Sequence, residues 1–255
     1  MGPQATRSGA RSEAQPSEAD RKGPRILRAE WRMLAMLNWQ IDPRALAPLV
    51  PAGCELDTFR GRTLISAVGF QFLRTRVLGV PALGHRAFDE VNRRFYVRHK
   101  HGGAWRRGVV FVRELVPKPL VTLLANASYG EHYVTLPVRH RVAPPEYVYE
   151  WRRAGAWEGL RVATEGEAIT PEDDAEETFV TEHYWGYTAL RGGRALEYEI
   201  EHPRWRVWRA REAKLDADVR ALYGERFAEA LGAAPCSALV AEGSPVAVRW
   251  RHTIH

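Results

Sequence analysis

The stretch RGVVFVRELVPKPLVTLLANASYGEHYVTLPVR, residues 107–139, is the part of the sequence around which the remainder is organised. It begins with a β-branched and aromatic run at 109–112, which is typical of a buried strand. Apolar residues then recur at near-helical spacing from 119 to 129, and residues 132–138 alternate again as a strand. A strand–helix–strand unit this apolar belongs in a core. Three charged residues embedded in it require partners or a polar cavity: Arg113, Glu114 and Lys118.

Length and composition indicate an ordinary globular protein. With 255 residues, of which 45% are hydrophobic and 27% charged, the chain can form one large domain or two small ones. The first 25 residues are rich in Ser, Gly, Pro and charge and contain no apolar segment. We therefore expect a disordered tail over residues 1–25, and not a secretory signal. No break in composition follows, which predicts a single domain over residues 26–250.

The sequence also limits the compartment and the partners. Its longest apolar runs are too short to cross a bilayer, so we expect no membrane association. Cys54 and Cys236 lie far apart without a CxxC pattern, and the default location is the reducing cytoplasm. The net charge of +6 comes from arginines spread along the chain, which indicates solubility more than a nucleic-acid partner.

Successive hairpins dominate the predicted secondary structure. A strand with one buried face covers residues 27–39, and Asp42 begins a short helix. Hairpins are predicted around four turns, at residues 60–61, 102–103, 153–155 and 191–193. The first pairs 55–59 with 63–72, and the last pairs 179–188 with 195–200. A helical stretch capped by Asp216 follows, interrupted at Gly224 and stopped at Gly232.

Many hairpins and few helices predict an α+β fold. We expect a mostly antiparallel, β-barrel-like sheet, closed or nearly closed, with a few helices packed at its ends. Within it the strand around residues 90–98 is the most informative, because side chains alternate between its two faces. One face carries Glu90, Asn92, Arg94 and Tyr96, and the other carries Val91, Arg93, Phe95 and Val97. The apolar face should meet the packed helices, whereas the polar face either lines a cavity or contacts water.

We predict that the polar face lines an enclosed cavity. Inside it, Arg94 would bind a carboxylate or carbonyl group through its guanidinium. Glu90 would hold that guanidinium or act as a general base.

Several motifs together resemble the YqjF-like family of uncharacterised bacterial proteins, also called domain of unknown function 2071. They are Glu30-Trp31, Leu37-Asn38-Trp39, ELDTFRG at 55–61, EVNRR at 90–94 and TEHYWGY at 181–187. The resemblance extends over most of residues 26–249. That family is grouped by fold with acetoacetate decarboxylase, which implies a β-barrel-like α+β domain enclosing a small-molecule cavity.

The same resemblance makes Lys118 a candidate catalytic residue. In acetoacetate decarboxylase an acid and a later Arg-Glu pair precede a Pro-Lys-Lys motif, whose first lysine forms a Schiff base. Glu90, Arg113-Glu114 and Pro117-Lys118 match these features, but Pro119 replaces the second lysine. A neighbouring cation is one of the features that activate such a lysine. We therefore expect Lys118 to point outward as an ordinary cation, with Glu90 and Arg94 dominating ligand binding.

Histidines and aromatic residues supply the other candidates. His183 and Tyr184 lie in an aromatic run that is typical of core packing, and inside a cavity they would bind or protonate a ligand. His202 ends a later strand and approaches the same region. The complete set of ligand-binding candidates is Asn92, Tyr96, Arg113, His183, Tyr184 and His202. Because His99-x-His101 stands at a hairpin tip and no HExxH occurs, we predict neither a metal site nor a cofactor.

Three functions remain open on this sequence. The first is a cytoplasmic protein that binds a small-molecule ligand bearing a carbonyl or carboxylate, with or without turnover. The second is a ligand-binding or sensing module without turnover. The third is a nucleic-acid-associated protein that uses the basic strand at 203–211, although we expect those arginines to face water on an edge strand. The oligomeric state is left open.

Overall fold

The structure is a computed structural model that describes residues 23–82, 84–119, 121–123 and 132–254. Residues 1–22 of the tail predicted over 1–25, and residues 120 and 124–131 of the predicted helix, lie outside them. The described helices are α1 (Pro43–Leu46), α2 (Glu176–Thr181), α3 (Val219–Tyr223) and α4 (Glu225–Gly232), with a 3-10 turn at Ala47–Leu49. None of them is long and apolar enough to span a membrane.

Fifteen strands in the described ranges join into one sheet. They are β1 (Arg25–Gln40), β2 (Cys54–Leu56), β3 (Leu64–Val77), β4 (Val80–Pro81), β5 (Phe88–His101), β6 (Ala104–Val116), β7 (Tyr133–Thr135), β8 (Val138–Ala143), β9 (Glu146–Arg153), β10 (Ala156–Ile169), β11 (Trp185–Leu190), β12 (Arg194–Glu201), β13 (Val207–Asp216), β14 (Ser237–Arg249) and β15 (His252–Ile254). Their pairings are antiparallel, except that β6 runs parallel to β7 and β11.

Seven of these strands form a ring. In order they are β14, β1, β3, β5, β6, β11 and β12, and the pairs Ile200–Val248 and Glu201–Ala247 join β12 back to β14. We refer to these seven strands as the ring. The predicted α+β class, with a mostly antiparallel and barrel-like sheet, is confirmed.

A second layer covers one side of the ring. From β14 the sheet continues through β13, β10, β9 and β8, which we call the outer layer. Tyr149 of β9 packs directly on Gly69 of β3, where an added Cβ would lie 2.6 Å from the tyrosine ring. Any larger residue at position 69 would therefore push the outer layer away from the ring. One apolar core fills the interior of the ring, and a second lies between the ring and the outer layer.

A bulge in β1 divides its side chains between the two cores. Met33 has a φ of 53°, and the register with β3 shifts between Arg32 and Ala35. Consequently Trp31 and Leu34 both face the interior of the ring, while Ala35 faces the outer core. The prediction of a single buried face for this strand is wrong, because the outer layer covers its other side.

Arg93 on β5 lies in the outer core. It is 0% exposed, and its guanidinium stacks 4.0 Å from the ring centre of Tyr223 on α3 and 5.6 Å from that of Trp39. None of its three guanidinium nitrogens has a hydrogen-bond partner among the described residues. This face of β5 does meet a packed helix, although through an arginine as well as through apolar residues.

Other local predictions divide between confirmation and correction. The hairpins that turn at 102–103, 153–155 and 191–193 are confirmed. The hairpin predicted around 60–61 is wrong, because β2 pairs with β5 and only the Phe59–Arg62 bridge spans that turn. Residues 179–181 belong to α2 and not to a strand. Two glutamates in the first turn of α2 favour its helix dipole, and Phe179 and Val180 are buried. Asp218, and not Asp216, caps α3.

Candidate ligand-binding cavity

A cavity of about 540 Å³ occupies the interior of the ring. This volume lies in the usual range for small-molecule sites. Its walls are mainly apolar and include Trp31, Leu34, Val68, Phe70, Phe88, Val109, Phe111, Tyr198, Ile200 and Trp205. Polar side chains also line it: Glu90, Asn92, Arg94, Glu114, Thr181, His183 and His202. Each of these seven is buried from the exterior.

Strand geometry brings the polar side chains together. Alternation along β5 directs Glu90, Asn92 and Arg94 to the interior, and Asn92 pairs with Glu114 on β6. The β5–β6 register shifts where Arg93 pairs with Arg113 and Arg94 pairs with Phe111, so one residue of β6 is bulged. Side chains at even and odd positions of β6 therefore both reach the cavity. Simple alternation along β6 would not place Phe111 and Glu114 on the same face.

Two neutral side chains donate hydrogen bonds to Glu90. The amide nitrogen Nδ2 of Asn92 donates to Glu90 Oε1 at 3.0 Å, and the hydroxyl of Tyr133 donates to Oε2 at 3.4 Å. No ion pair joins Glu90 to Arg94 in the described structure. The carboxyl group is therefore positioned independently of the guanidinium, and both groups line the same cavity.

Arg94 is a buried cation with little internal compensation. Arg94 is only 8% exposed, and its Nη2 donates a hydrogen bond to the carbonyl of Val180 at 3.0 Å. Nε has no hydrogen-bond partner, and no carboxylate lies within ion-pair distance of this guanidinium anywhere in the described ranges. A buried cation that no described carboxylate contacts directly can bind the anionic group of a ligand.

His183, on the loop after α2, packs against two aromatic rings that also contact each other. The centres of the Tyr96 and Phe179 rings are 4.7 and 5.3 Å from its imidazole. Its Nε2 is 3.5 Å from Oδ2 of Asp57, and the same oxygen accepts a hydrogen bond from Arg107 Nε at 2.7 Å. Burial lowers the pKa of His183 to about 4, with the charges of Arg107 and Arg94 acting in the same direction against Asp57. The imidazole is therefore neutral at pH 7.

Asp57 itself remains ionised. Burial alone would raise its pKa, but the interactions with His183 and Arg107 bring the pKa below the ordinary value. Asp57 is 5% exposed, and its backbone N–H donates to the carbonyl of Tyr96 at 3.0 Å, which anchors it against β5.

His202 lines another part of the wall. Its Nδ1 donates to the carbonyl of Pro203 at 2.9 Å, and its ring stacks on Trp205 with centroids 4.1 Å apart. Tyr184 packs on the other side at 4.7 Å and donates its hydroxyl hydrogen to Glu182. Burial is the main reason that the pKa of His202 falls to about 4.

Four of the nine predicted site residues are not among the described residues that line the cavity. Tyr96 is buried on the correct face of β5, but its hydroxyl bonds to Ser66. Tyr184 supports His202 from outside the wall, and Arg113 is likewise absent from the lining. Lys118 donates from Nζ to the carbonyl of Gly84 at 3.0 Å, outside the cavity.

Sequence reasoning missed two acidic residues that belong to this region. Asp57 stands in the ELDTFRG motif, which carries the family resemblance but predicts no role for its aspartate. The sequence predicts that Glu114 needs a partner, but not that it is a wall residue facing Asn92. The cross-strand pairing of β5 with β6 supplies that information, and the sequence gives no signal for the bulge that aligns them.

The basic strand at 203–211 is engaged with the protein's own acids. Three arginines form ion pairs with carboxylates: Arg204 with Asp173, Arg209 with Glu177 and Arg211 with Glu146. β13 also lies between β10 and β14, so the prediction that this is an edge strand is wrong. In the part of the chain that the structure describes, no group of three or more metal-ligating side chains occurs.

Comparisons with known proteins identify a family and a fold. The profile of a family described as "Uncharacterized conserved protein", DUF2071, matches residues 28–245. The uncharacterized protein YqjF of Bacillus subtilis (strain 168) is 29% identical over 198 residues, which cover 76% of this chain and 79% of YqjF.

Solved structures of low sequence identity have the same fold. Acetoacetate decarboxylase from Legionella pneumophila aligns with a TM-score of 0.65 at 10% identity, covering 90% of this chain and 87% of the enzyme. An acetoacetate decarboxylase-like enzyme from Sphingomonas wittichii RW1 gives 0.65 at 14% identity, covering 91% and 94%. The enduracididine biosynthesis enzyme MppR, complexed with pyruvate, gives 0.64 at 12% identity, covering 92% and 93%.

Proposed function

The chain belongs to the DUF2071 family and has the acetoacetate decarboxylase fold, and from this premise we propose that it binds a small organic acid inside the ring. The acid carries a carboxylate, with or without an adjacent carbonyl, and an apolar body. The observation that carries this proposal is Arg94, a buried guanidinium that has no carboxylate partner among the described residues and lines a mainly apolar cavity.

The composition of the cavity supports a ligand of two chemical parts. A carboxylate would accept hydrogen bonds from the guanidinium of Arg94, and Asn92 could orient the neighbouring oxygen. The aliphatic and aromatic walls would cover a branched or aromatic body. A 2-oxo acid fits both parts, and the pyruvate complex of MppR is consistent with this class.

The position of Lys118 argues against Schiff-base catalysis in this cavity. Its Nζ is bonded to Gly84 outside the cavity, and Pro119 stands where the decarboxylase motif has a second lysine. This contact favours binding without a covalent lysine adduct. The second candidate function is therefore a ligand-binding or sensing module without turnover. We further propose a cytoplasmic location, because Cys54 and Cys236 are both free thiols.

Binding of defined probes tests the proposal. The probes are 4-methyl-2-oxopentanoate and phenylpyruvate, with the corresponding uncharged 2-oxo amides as controls, measured by isothermal titration calorimetry on the full chain. We expect the acids to bind and the amides to bind far more weakly. Arg94→Met should weaken binding by about 10- to 100-fold, because hydrogen bonds to charged groups contribute about 1.5–3 kcal/mol.

The matched control is Arg93→Met. It removes the same side chain one position earlier on β5, but from the opposite face, so probe affinity should remain within about twofold of the wild type. If neither acid binds, or if Arg94→Met binds as tightly as the control, the assignment of this cavity is wrong.

A further inference from the structure

We propose that His183 and Asp57 form a proton-transfer pair that acts on the bound acid, removing a proton from the carbon next to the carbonyl of a 2-oxo acid. This inference rests on the binding function proposed above and adds a reaction to it. His183 would be the catalytic base. Asp57 is not among the lining residues, so it would act through the imidazole as a positioning residue.

The contact with Asp57 distinguishes the two ring nitrogens of His183. Its Nε2 faces Asp57 Oδ2 at 3.5 Å, which is longer than a standard hydrogen bond. Such contacts in unliganded sites shorten when the ligand binds. Neither ring nitrogen has a hydrogen-bond partner within the described structure, and a proton on Nε2 directed to Asp57 would leave the lone pair of Nδ1 for a ligand.

Asp57 is held more firmly than a surface carboxylate. Arg107 donates to Oδ2 at 2.7 Å, and the backbone of Asp57 is bonded to Tyr96, whose ring packs on His183. The edge of Phe179 also contacts the imidazole, and the guanidinium of Arg107 lies 4.7 Å from the centre of the Phe179 ring. These contacts fix the orientation of the imidazole on the cavity wall. Asp57 can therefore act as a positioning residue for His183.

The charges facing His183 make it a proton acceptor at neutral pH. They are Asp57 on the loop after β2, Arg107 on β6 and Arg94 on β5. Two positive charges and burial oppose protonation of the free protein, so the imidazole is neutral. An anionic ligand on Arg94 would offset one of those positive charges and make protonation of His183 easier during the reaction.

The proposed step needs no further reactant. Nδ1 of His183 takes the proton from C3 of the 2-oxo acid, and the electron pair of that C–H bond forms the C2–C3 double bond. The carbonyl π electrons move to the oxygen, giving an enolate next to the carboxylate, where the guanidinium of Arg94 can stabilise both. Asp57 stabilises the imidazolium that forms, and return of a proton to C3 regenerates the oxo acid.

Deuterium exchange measures this step directly. The full-length protein is incubated with 4-methyl-2-oxopentanoate in D₂O near neutral pD, and loss of the C3 proton signal is followed by NMR. We expect exchange faster than in buffer, and His183→Gln should reduce the rate at least about 100-fold. Arg93→Met, a change in the outer core, should retain the wild-type rate.

Asp57→Asn tests the positioning role separately. We expect an exchange rate about 10- to 100-fold lower with probe affinity retained within about threefold, and the acid limb of the pH–rate profile moved to lower pH because a nearby negative charge is lost. Asp57→Glu should restore part of the rate, and thermal melts of each variant verify folding. If Asp57→Asn leaves the rate and profile unchanged, Asp57 has no part in the step.

The outcomes separate the two proposals. Binding of the probe without accelerated exchange overturns the proton-transfer inference and leaves the binding function in place. Accelerated exchange that survives His183→Gln also overturns it. Failure of the probes to bind overturns the binding function, and the inference falls with it.

Discussion

Acidification should destabilise this protein through two buried histidines. His183 and His202 each have a pKa near 4, compared with the ordinary value of 6.5. A histidine whose pKa is depressed by folding takes up its proton in the unfolded state first, so stability is complete above pH 6.5 and is lost as the pH falls towards 4.

The depressed pKa values fix the expected magnitude. At 1.36 kcal/mol for each pH unit, the interval from 6.5 to about 4 corresponds to a total of about 3 kcal/mol for each histidine. At pH 5 the proton linkage gives about 2 kcal/mol each, or about 4 kcal/mol together. This is a large part of the ~5–15 kcal/mol by which domains are usually stable.

Two carboxyl groups oppose this loss. Burial raises the pKa of Asp89 and of Glu182, so these groups bind protons in the folded state before the unfolded state does and add stability on acidification. The wild-type pH dependence alone is therefore ambiguous. The difference between wild type and histidine variants isolates the histidine contribution.

Urea unfolding at pH 7.5, 6.5, 5.5 and 5.0, followed by tryptophan fluorescence, measures the effect. His183→Gln and His202→Gln should each reduce the loss of unfolding free energy between pH 7.5 and 5.0 by about 2 kcal/mol, whatever their stability at pH 7.5. If both variants lose stability with the same pH dependence as the wild type, the neutral, buried state assigned to these imidazoles is refuted.

Two further outcomes are expected. Borohydride treatment in the presence of acetoacetate should leave no adduct on Lys118, because its Nζ bonds to Gly84 outside the cavity; a reduced adduct found there by peptide mass spectrometry contradicts this. Gly186→Ala should cost about 1–3 kcal/mol in urea unfolding and weaken probe binding, since its Cβ would lie 2.2 Å from Cζ of the wall residue Tyr198. Gly232→Ala, with no atom within 4 Å of its added Cβ, is the matched control, and an equal loss in both variants argues against this account.

The sequence predicted the fold class and one wall of the cavity. Glycine-containing hairpin turns and the alternation along β5 depend on local sequence. The turn at 102–103 and the inward direction of Glu90, Asn92 and Arg94 were therefore predictable. The turn at 60–61 could not, because whether β2 pairs with β3 or β5 is decided by tertiary contacts such as the bond from Asp57 to the Tyr96 carbonyl. Local patterns do not contain that choice.

Residues outside the lining illustrate the same limit. Lys118 and Arg113 were selected through a motif resemblance, and a motif carries residue types without the direction in which each side chain points. Asp57 shows the opposite case, since its role depends on a contact with His183, a residue far away in the sequence. The bulges in β1 and β6 also escape prediction, because each inserts one residue into an otherwise regular alternation.

The adjacent arginines of β5 have a consequence for how the chain finds its native pairing. A slip of one residue relative to β3 and β6 would send Arg93 into the ring and Arg94 into the outer core, so a guanidinium would still stand on each side. The two arginines therefore do not distinguish the native register from the slipped one. The other residues of β5 distinguish the two registers. In the slipped register Val91 and Phe95 would replace polar wall residues, and Glu90 and Asn92 would lie in an apolar layer. Substitutions that make Val91 and Phe95 more polar should therefore reduce the preference for the native register as well as the stability of the outer core.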